Sequence, residues 1–141
     1  MARVEVAAGI LIDGDGNILL AQRASHQHQG GKWEFPGGKV EDDEAPEQAL
    51  CRELHEELGV QVAPHDCQLF QHIVYDYPDK QVSLRFYKVL RFSGAPKGVE
   101  GQPLSWVNAQ QCQDYTLPKA NTPVLEALLK DWPNSKPLSS V

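Results

Sequence analysis

Carboxylates crowd into one short stretch of this 141-residue chain. Residues 41–57 contain Glu41, Asp42, Asp43, Glu44, Glu47, Glu53, Glu56 and Glu57 against a single base, Arg52, a local charge of −7 in a chain whose total is −6. Most charge runs are solvated helix faces, and on charge alone this one reads equally as that or as a cradle for a divalent cation, which would offset the self-repulsion. Spacing bears on the choice. At the helical repeat, Glu53, Glu56 and Glu57 share an arc of about 100°, and Leu50, Leu54 and Leu58 form the adjoining stripe. Such a helix seats its leucines on a core and holds three carboxylates at the edge of that contact. Like charges three and four residues apart destabilise a helix, so a sequence shaped by stability alone would alternate the signs. Oxygen donors on a fixed scaffold suit Mg²⁺ or Mn²⁺ and not zinc.

The elements that must position these groups are legible around them. Pro46 suits the first helical position and Gly59 the C-terminal cap, which brackets a helix over 47–58. Upstream, residues 3–12 are rich in Val, Ile and Ala and read as a strand. The Asp13-Gly14-Asp15-Gly16 turn then predicts a hairpin with a returning strand over 17–22. Residues 24–32 are a polar loop, and 33–40 a short extended piece broken by Pro36-Gly37-Gly38. Downstream, 68–77 and 81–92 form a second hairpin about Pro78-Asp79-Lys80, followed by a loop over 93–102 and a short strand at 104–107. A last helix starts near Thr122-Pro123 and runs to about Trp132, with Leu125, Leu128 and Leu129 on one face. Mixed strands and helices with hairpins dominating imply a mixed sheet with helices on its faces. One domain over 1–132 is expected, with a flexible tail over 133–141.

Composition narrows the class of protein further. Hydrophobic residues make up 41% and charged residues 23%, enough for a core and against wholesale disorder. The N-terminus lacks the layout of a signal peptide, and no apolar run approaches the length that spans a bilayer. A cytoplasmic protein with no membrane partner is expected. The acidic net charge argues against a nucleic-acid polymer as partner. Three scattered cysteines, Cys51, Cys67 and Cys112, form no CxxC pair, so neither a disulfide framework nor a zinc site is expected. Trp106 and Trp132 read as core or helix-packing residues, and His26 and His55 as solvated.

Gly38-x5-Glu44-x7-Arg52-Glu53-Leu54-His55-Glu56-Glu57-Leu58-Gly59-Val60 resembles the Nudix box at every defined position over 23 residues. The likeness extends to the MutT branch through Arg23, Trp33-Glu34-Phe35-Pro36-Gly37-Gly38-Lys39, Glu100-Gly101-Gln102 and Pro118-Lys119-Ala120-Asn121. It implies an α/β (α+β) fold, the Nudix α/β/α sandwich, and hydrolysis of a nucleoside triphosphate to the monophosphate and pyrophosphate. It further implies an 8-oxo-dGTP diphosphatase-like monomer with a nucleotide substrate, clearing oxidised guanine nucleotides that would cause mutation. Mg²⁺, with Mn²⁺ as substitute, would be held by Glu53, Glu56, Glu57, Glu100 and the Gly38 carbonyl. The base that accepts the proton of the attacking water is open between Glu53 and Glu100, with Glu53 preferred. Arg52 would orient carboxylates, through Glu44 among others.

Substrate recognition is expected elsewhere. Asn121 offers the donor and acceptor needed to read a purine edge, though a helix cap is its plainer use. Arg23 can bond a base carbonyl or hold the sugar-phosphate side. Phe35 divides between core and base packing, Tyr77 and Lys80 lie at a hairpin tip, and His28 lies in a loop where it could touch phosphate or ribose. The alternatives are a Nudix hydrolase of another nucleotide (CTP or a methylated cytidine nucleotide, a nucleotide sugar, a dinucleoside polyphosphate) and a non-catalytic module that binds oxidised guanine.

Overall fold

The computed structural model describes residues 2–26 and 30–131. His28, Trp132 and the tail expected over 133–141 lie outside the described residues. The strands are β1 (Ala2–Leu11), β2 (Ile18–Gln22), β3 (Trp33–Glu34), β4 (Gly37–Lys39), β5 (Cys67–Asp76), β6 (Lys80–Val89) and β7 (Leu104–Val107), and the helices are α1 (Pro46–Leu58) and α2 (Thr122–Asp131).

The strands divide into two sheets, ordered β4-β1-β6-β5 and β3-β2-β7. In the first, β1 runs parallel to β6 along its whole length and antiparallel to β4, while β5 and β6 form the expected hairpin. The first hairpin read from the sequence is not one. The turn itself is present, with the Asp13 carboxylate accepting from the backbone N–H of Asp15 and Asn17. Beyond a single bridge at Ile12 and Ile18, however, β1 and β2 part into different sheets. Both edges of β1 are occupied, by β4 and β6, so β2 must find its partners in β3 and β7. Turn chemistry specifies a reversal of the chain; which strands then pair is decided by the edges left open.

Alternation along β1 supplies two cores. Ala7 and Leu11 face α1, joined by Leu19, Tyr87, Val89 and the fully buried Leu50, Leu54 and Leu58. Ala8, Ile10 and Ile12 face the other way, against Phe35, Phe86 and the α2 residues Val124 and Leu128. Helices therefore cover opposite faces, the α/β/α arrangement. Short 3-10 turns at Pro64–Asp66, Gln111–Asp114 and Lys119–Asn121 join these elements. Trp106 departs from its expected core role: it is 36% exposed and stacks on Phe92 at 6.5 Å between centroids. Its position on β7 points away from the side carrying Val107, which is buried. The three cysteines are free thiols, Cys112 buried and the others half-buried. No helix among the described residues is long and apolar enough to cross a membrane.

Candidate active site

Helix α1 starts at Pro46, where the Gln48 side chain reaches back to accept the Ala45 backbone N–H at 3.0 Å. It ends at Gly59, whose φ of 74° is a left-handed conformation that glycine adopts without strain, its N–H donating to the His55 carbonyl. Both ends match the sequence reading. With the three leucines buried on the sheet, Glu53, Glu56 and Glu57 emerge at the margin of the packed face, but at different depths. The Glu56 side chain is 54% exposed and that of Glu53 only 19%. Glu57 is half-buried, and its Oε2 is buried with no hydrogen-bond partner among the described residues.

Strand β4 explains the glycines. Gly38 pairs with Ala7 on β1, and a Cβ there would fall on the Glu53 carboxyl group, so that carboxylate rests directly against glycine backbone. A Cβ on Gly37 would run into the Ala7 carbonyl. Arg52 secures the arrangement from behind. Its Nε and Nη2 donate to the two oxygens of Glu44 at 2.8 and 3.1 Å, its Nη1 donates to Glu53 at 2.9 Å, and its Nη2 also reaches the Lys39 carbonyl at 3.1 Å. The guanidinium holds the Glu44 carboxyl below its ordinary range, and the same bonds raise the affinity of Arg52 for its proton. One planar fork thus joins β4, the loop before α1 and α1 itself.

A polar cavity of about 650 Å³ opens over this edge, lined by Glu53, Glu56, Glu57, Glu100, Arg23 and Glu34, with Gly37 between them. The structure thus brings Glu100, from the distant loop before β7, to the three helix carboxylates. Gly37 and not Gly38 lines this space; Gly38 faces a second cavity. Burial, a hydrogen bond with the Glu53 carboxyl and the nearby charges of Glu53, Glu34 and Glu100 push the Glu57 carboxyl up to about 9. Among the described residues no three acidic, histidine or cysteine side chains close around a point as a complete metal cage. Magnesium seldom uses one, keeping waters and substrate phosphates among its ligands. The orphaned Glu57 oxygen, the all-oxygen donor set and the glycine backbone beside it fit a hard divalent cation.

The second cavity, about 280 Å³, is lined by Phe35, Tyr77, Lys80, Phe86 and Asn121 among others. Phe35 proves to be both things weighed for it, a core residue 3% exposed and edge-on to Phe86 at 5.9 Å, and a wall of the cavity. Asn121 is 7% exposed, in the 3-10 turn that leads into α2, and with Ser83 is one of two buried polar residues among those described. Lys80 sits 5.8 Å from the centre of the Tyr77 ring across the hairpin tip. Arg23, Glu34 and Gly37 line both cavities, at their junction.

Glu34 escaped the sequence reading as a site residue. It accepts a 2.8 Å bond from Arg23, and burial raises its carboxyl above the ordinary range in spite of that partner. Its place in the Trp33–Lys39 segment was the available signal, but nothing in the sequence distinguishes a pore-lining glutamate from a surface one. His26, read as solvated, is exposed and stands at the wall of the first cavity.

Two sheets between two helices, with a Gly–Glu–Arg–Glu–Glu helix edge opening on a cleft, define a class, and residues 7–127 match the NUDIX domain family, to which the chain belongs. It is 40% identical over 128 residues to the 8-oxo-dGTP diphosphatase of Escherichia coli (strain K12), covering 91% of this chain and 98% of that protein. It is also 41% identical over 135 residues to the CTP pyrophosphohydrolase of the same strain, covering 92% and 93%. Among solved structures, one from work on MutT of Aliivibrio salmonicida and Vibrio cholerae superposes with a TM-score of 0.80 at 41% identity, covering 92% of this chain and 98% of that one.

Proposed function

We propose that the chain is a cytoplasmic, monomeric nucleoside triphosphate pyrophosphohydrolase that removes 8-oxo-dGTP, or its ribonucleotide, from the nucleotide pool before it causes mutation. The reaction adds water across a phosphoanhydride: a new P–O bond forms to the water oxygen, the bond to the leaving phosphate oxygen breaks, and NMP and pyrophosphate result. The observation that supports this reading is the juncture of two unlike cavities at Arg23, one of carboxylates and one apolar with a buried amide.

Glu53, Glu56, Glu57, Glu100 and the glycine backbone at 37–38 would hold Mg²⁺, or Mn²⁺ in its place. When bound, the cation shields the phosphate charge and makes phosphorus more open to attack. Arg23, between the cavities, grips the nucleotide where its phosphates leave the sugar, and Glu34 fixes the angle of that guanidinium. Glu53 is the preferred acceptor of the water proton, because Arg52 and the Gly38 backbone fix its position and a base must first be in place. Asn121 reads the base edge, with Phe35 beneath it and Tyr77 and Lys80 over it.

The relative that acts on CTP, as similar overall as the one that acts on 8-oxo-dGTP, favours a second reading in which the same machinery accepts a cytidine nucleotide. A panel of nucleotides assayed for pyrophosphate release, with and without chelator, tests both. The first reading expects the highest kcat/KM on 8-oxo-dGTP and loss of activity on chelation. Equal rates on 8-oxo-dGTP and dGTP, or a clear preference for CTP, would displace it.

A further inference from the structure

Glu100 stands on a largely exposed loop. Three hydrogen bonds dock that loop on the C-terminal turn of α1. The Lys97 N–H donates to the Leu58 carbonyl at 3.0 Å, the Val99 N–H to the Glu57 carbonyl at 3.2 Å, and the Gln102 side-chain amide to the same Glu57 carbonyl at 2.9 Å. The last carbonyls of a helix have no partner within it, so the turn that carries Glu57 is a ready docking edge. Gln102 does something the other two donors do not: its Oε1 accepts the Glu100 backbone N–H at 2.9 Å. A single side chain therefore links the backbone of Glu57 to the backbone of Glu100. The loop is tightly closed around it, with the Gly101 N–H donating to the Gly98 carbonyl and Gly101 at a φ of 81°.

We propose that Gln102 is a positioning residue, whose amide straps the Glu100 loop to α1 and so sets Glu100 opposite Glu53 and Glu57. The inference rests on the role given to Glu100 above. An amide suits the task, since it both donates and accepts across a planar group, whereas a residue that only donated could cap the helix without holding Glu100. A shift of about 1 Å in a group that acts at the reacting centre can cost about 10²-fold in rate.

The test is a double-mutant cycle on the full chain, with Gln102→Met, which keeps the length and loses both bonds, and Glu100→Gln. Gln102→Met is expected to lower kcat by about 10- to 100-fold with KM changed far less. In the Glu100→Gln background the same substitution is expected to cost nothing further, because the group it positions is already disabled. A loss of equal size in both backgrounds would show general disturbance of the helix end and overturn the inference, as would parental kcat in Gln102→Met beside an impaired Glu100→Gln. Parental kcat in Glu100→Gln itself would remove the role of Glu100 and the strap with it. Should the methionine variant fold poorly, Gln102→Asn, one methylene too short to span both partners, carries the same cycle with the same expected outcomes.

Discussion

Three of the carboxylates that line the wider cavity, Glu53, Glu56 and Glu57, come from one helix edge, whereas the narrower cavity draws on β1, β3, β4, the β5–β6 hairpin and the turn before α2. The first is also braced within itself, because Arg52 bonds Glu44, Glu53 and the Lys39 carbonyl. The second takes its shape from how the two sheets and α2 meet over Phe35 and Phe86. A local unit of this kind can be kept intact while distant segments change, so one hydrolytic apparatus can serve different bases. That a CTP pyrophosphohydrolase and an 8-oxo-dGTP diphosphatase resemble this chain equally well agrees with that division.

The contrast can be broken most severely at Glu53. Glu53→Gln should lower kcat by about 10³-fold or more with the fold intact by circular dichroism, since in the proposed role it removes a charge at the reacting centre. Near-parental turnover would take the chemistry away from this helix edge. Arg52→Lys is the next largest: a point charge cannot make the forked contact to Glu44 while also holding Glu53, and kcat should drop about 10- to 100-fold with base selectivity unchanged. A change in selectivity would mean that the two cavities are not separable.

Asn121→Ala should do the converse, lowering the ratio of kcat/KM for oxidised over normal guanine nucleotide by about 10-fold or more while kcat on the better substrate changes less. Unaltered selectivity would return Asn121 to the plainer role of a buried turn residue. The smallest effect concerns stability. The Glu57 carboxyl is raised from 4.5 to about 9, so between those limits the folded protein binds more protons than the unfolded chain. Stability of the cation-free protein should then fall as pH rises from about 6 to about 8, and saturating Mg²⁺ should abolish that slope by replacing the proton. Thermal unfolding across this range checks it; a slope that is flat without Mg²⁺ would contradict the burial assigned to Glu57.

How much of this could be read beforehand differs element by element. Helix α1 was legible to the residue because its signals are local: a proline at one end, a glycine at the other and leucines in register between them. The β5–β6 hairpin was legible for the same reason. The β1–β2 reversal was misread because pairing depends on which edges remain free, and β4 and β6, which claim the edges of β1, lie later in the chain. The 3-10 turns left no periodic trace. Glu34 was passed over because its value comes from Arg23 across a sheet and from two cavities that exist only after folding.

The sequence by itself determined which oxygens could gather on one helical edge and which leucines would press that helix onto a sheet, since both follow from the fixed rise and turn of a helix. Only the tertiary structure decided that one carboxylate oxygen of Glu57 would be buried while Glu56, the preceding residue, stays in water, and that Glu100 would complete the cavity from more than 40 residues away. Depth below a surface and the approach of a distant loop are properties of packing, and packing depends on every segment at once.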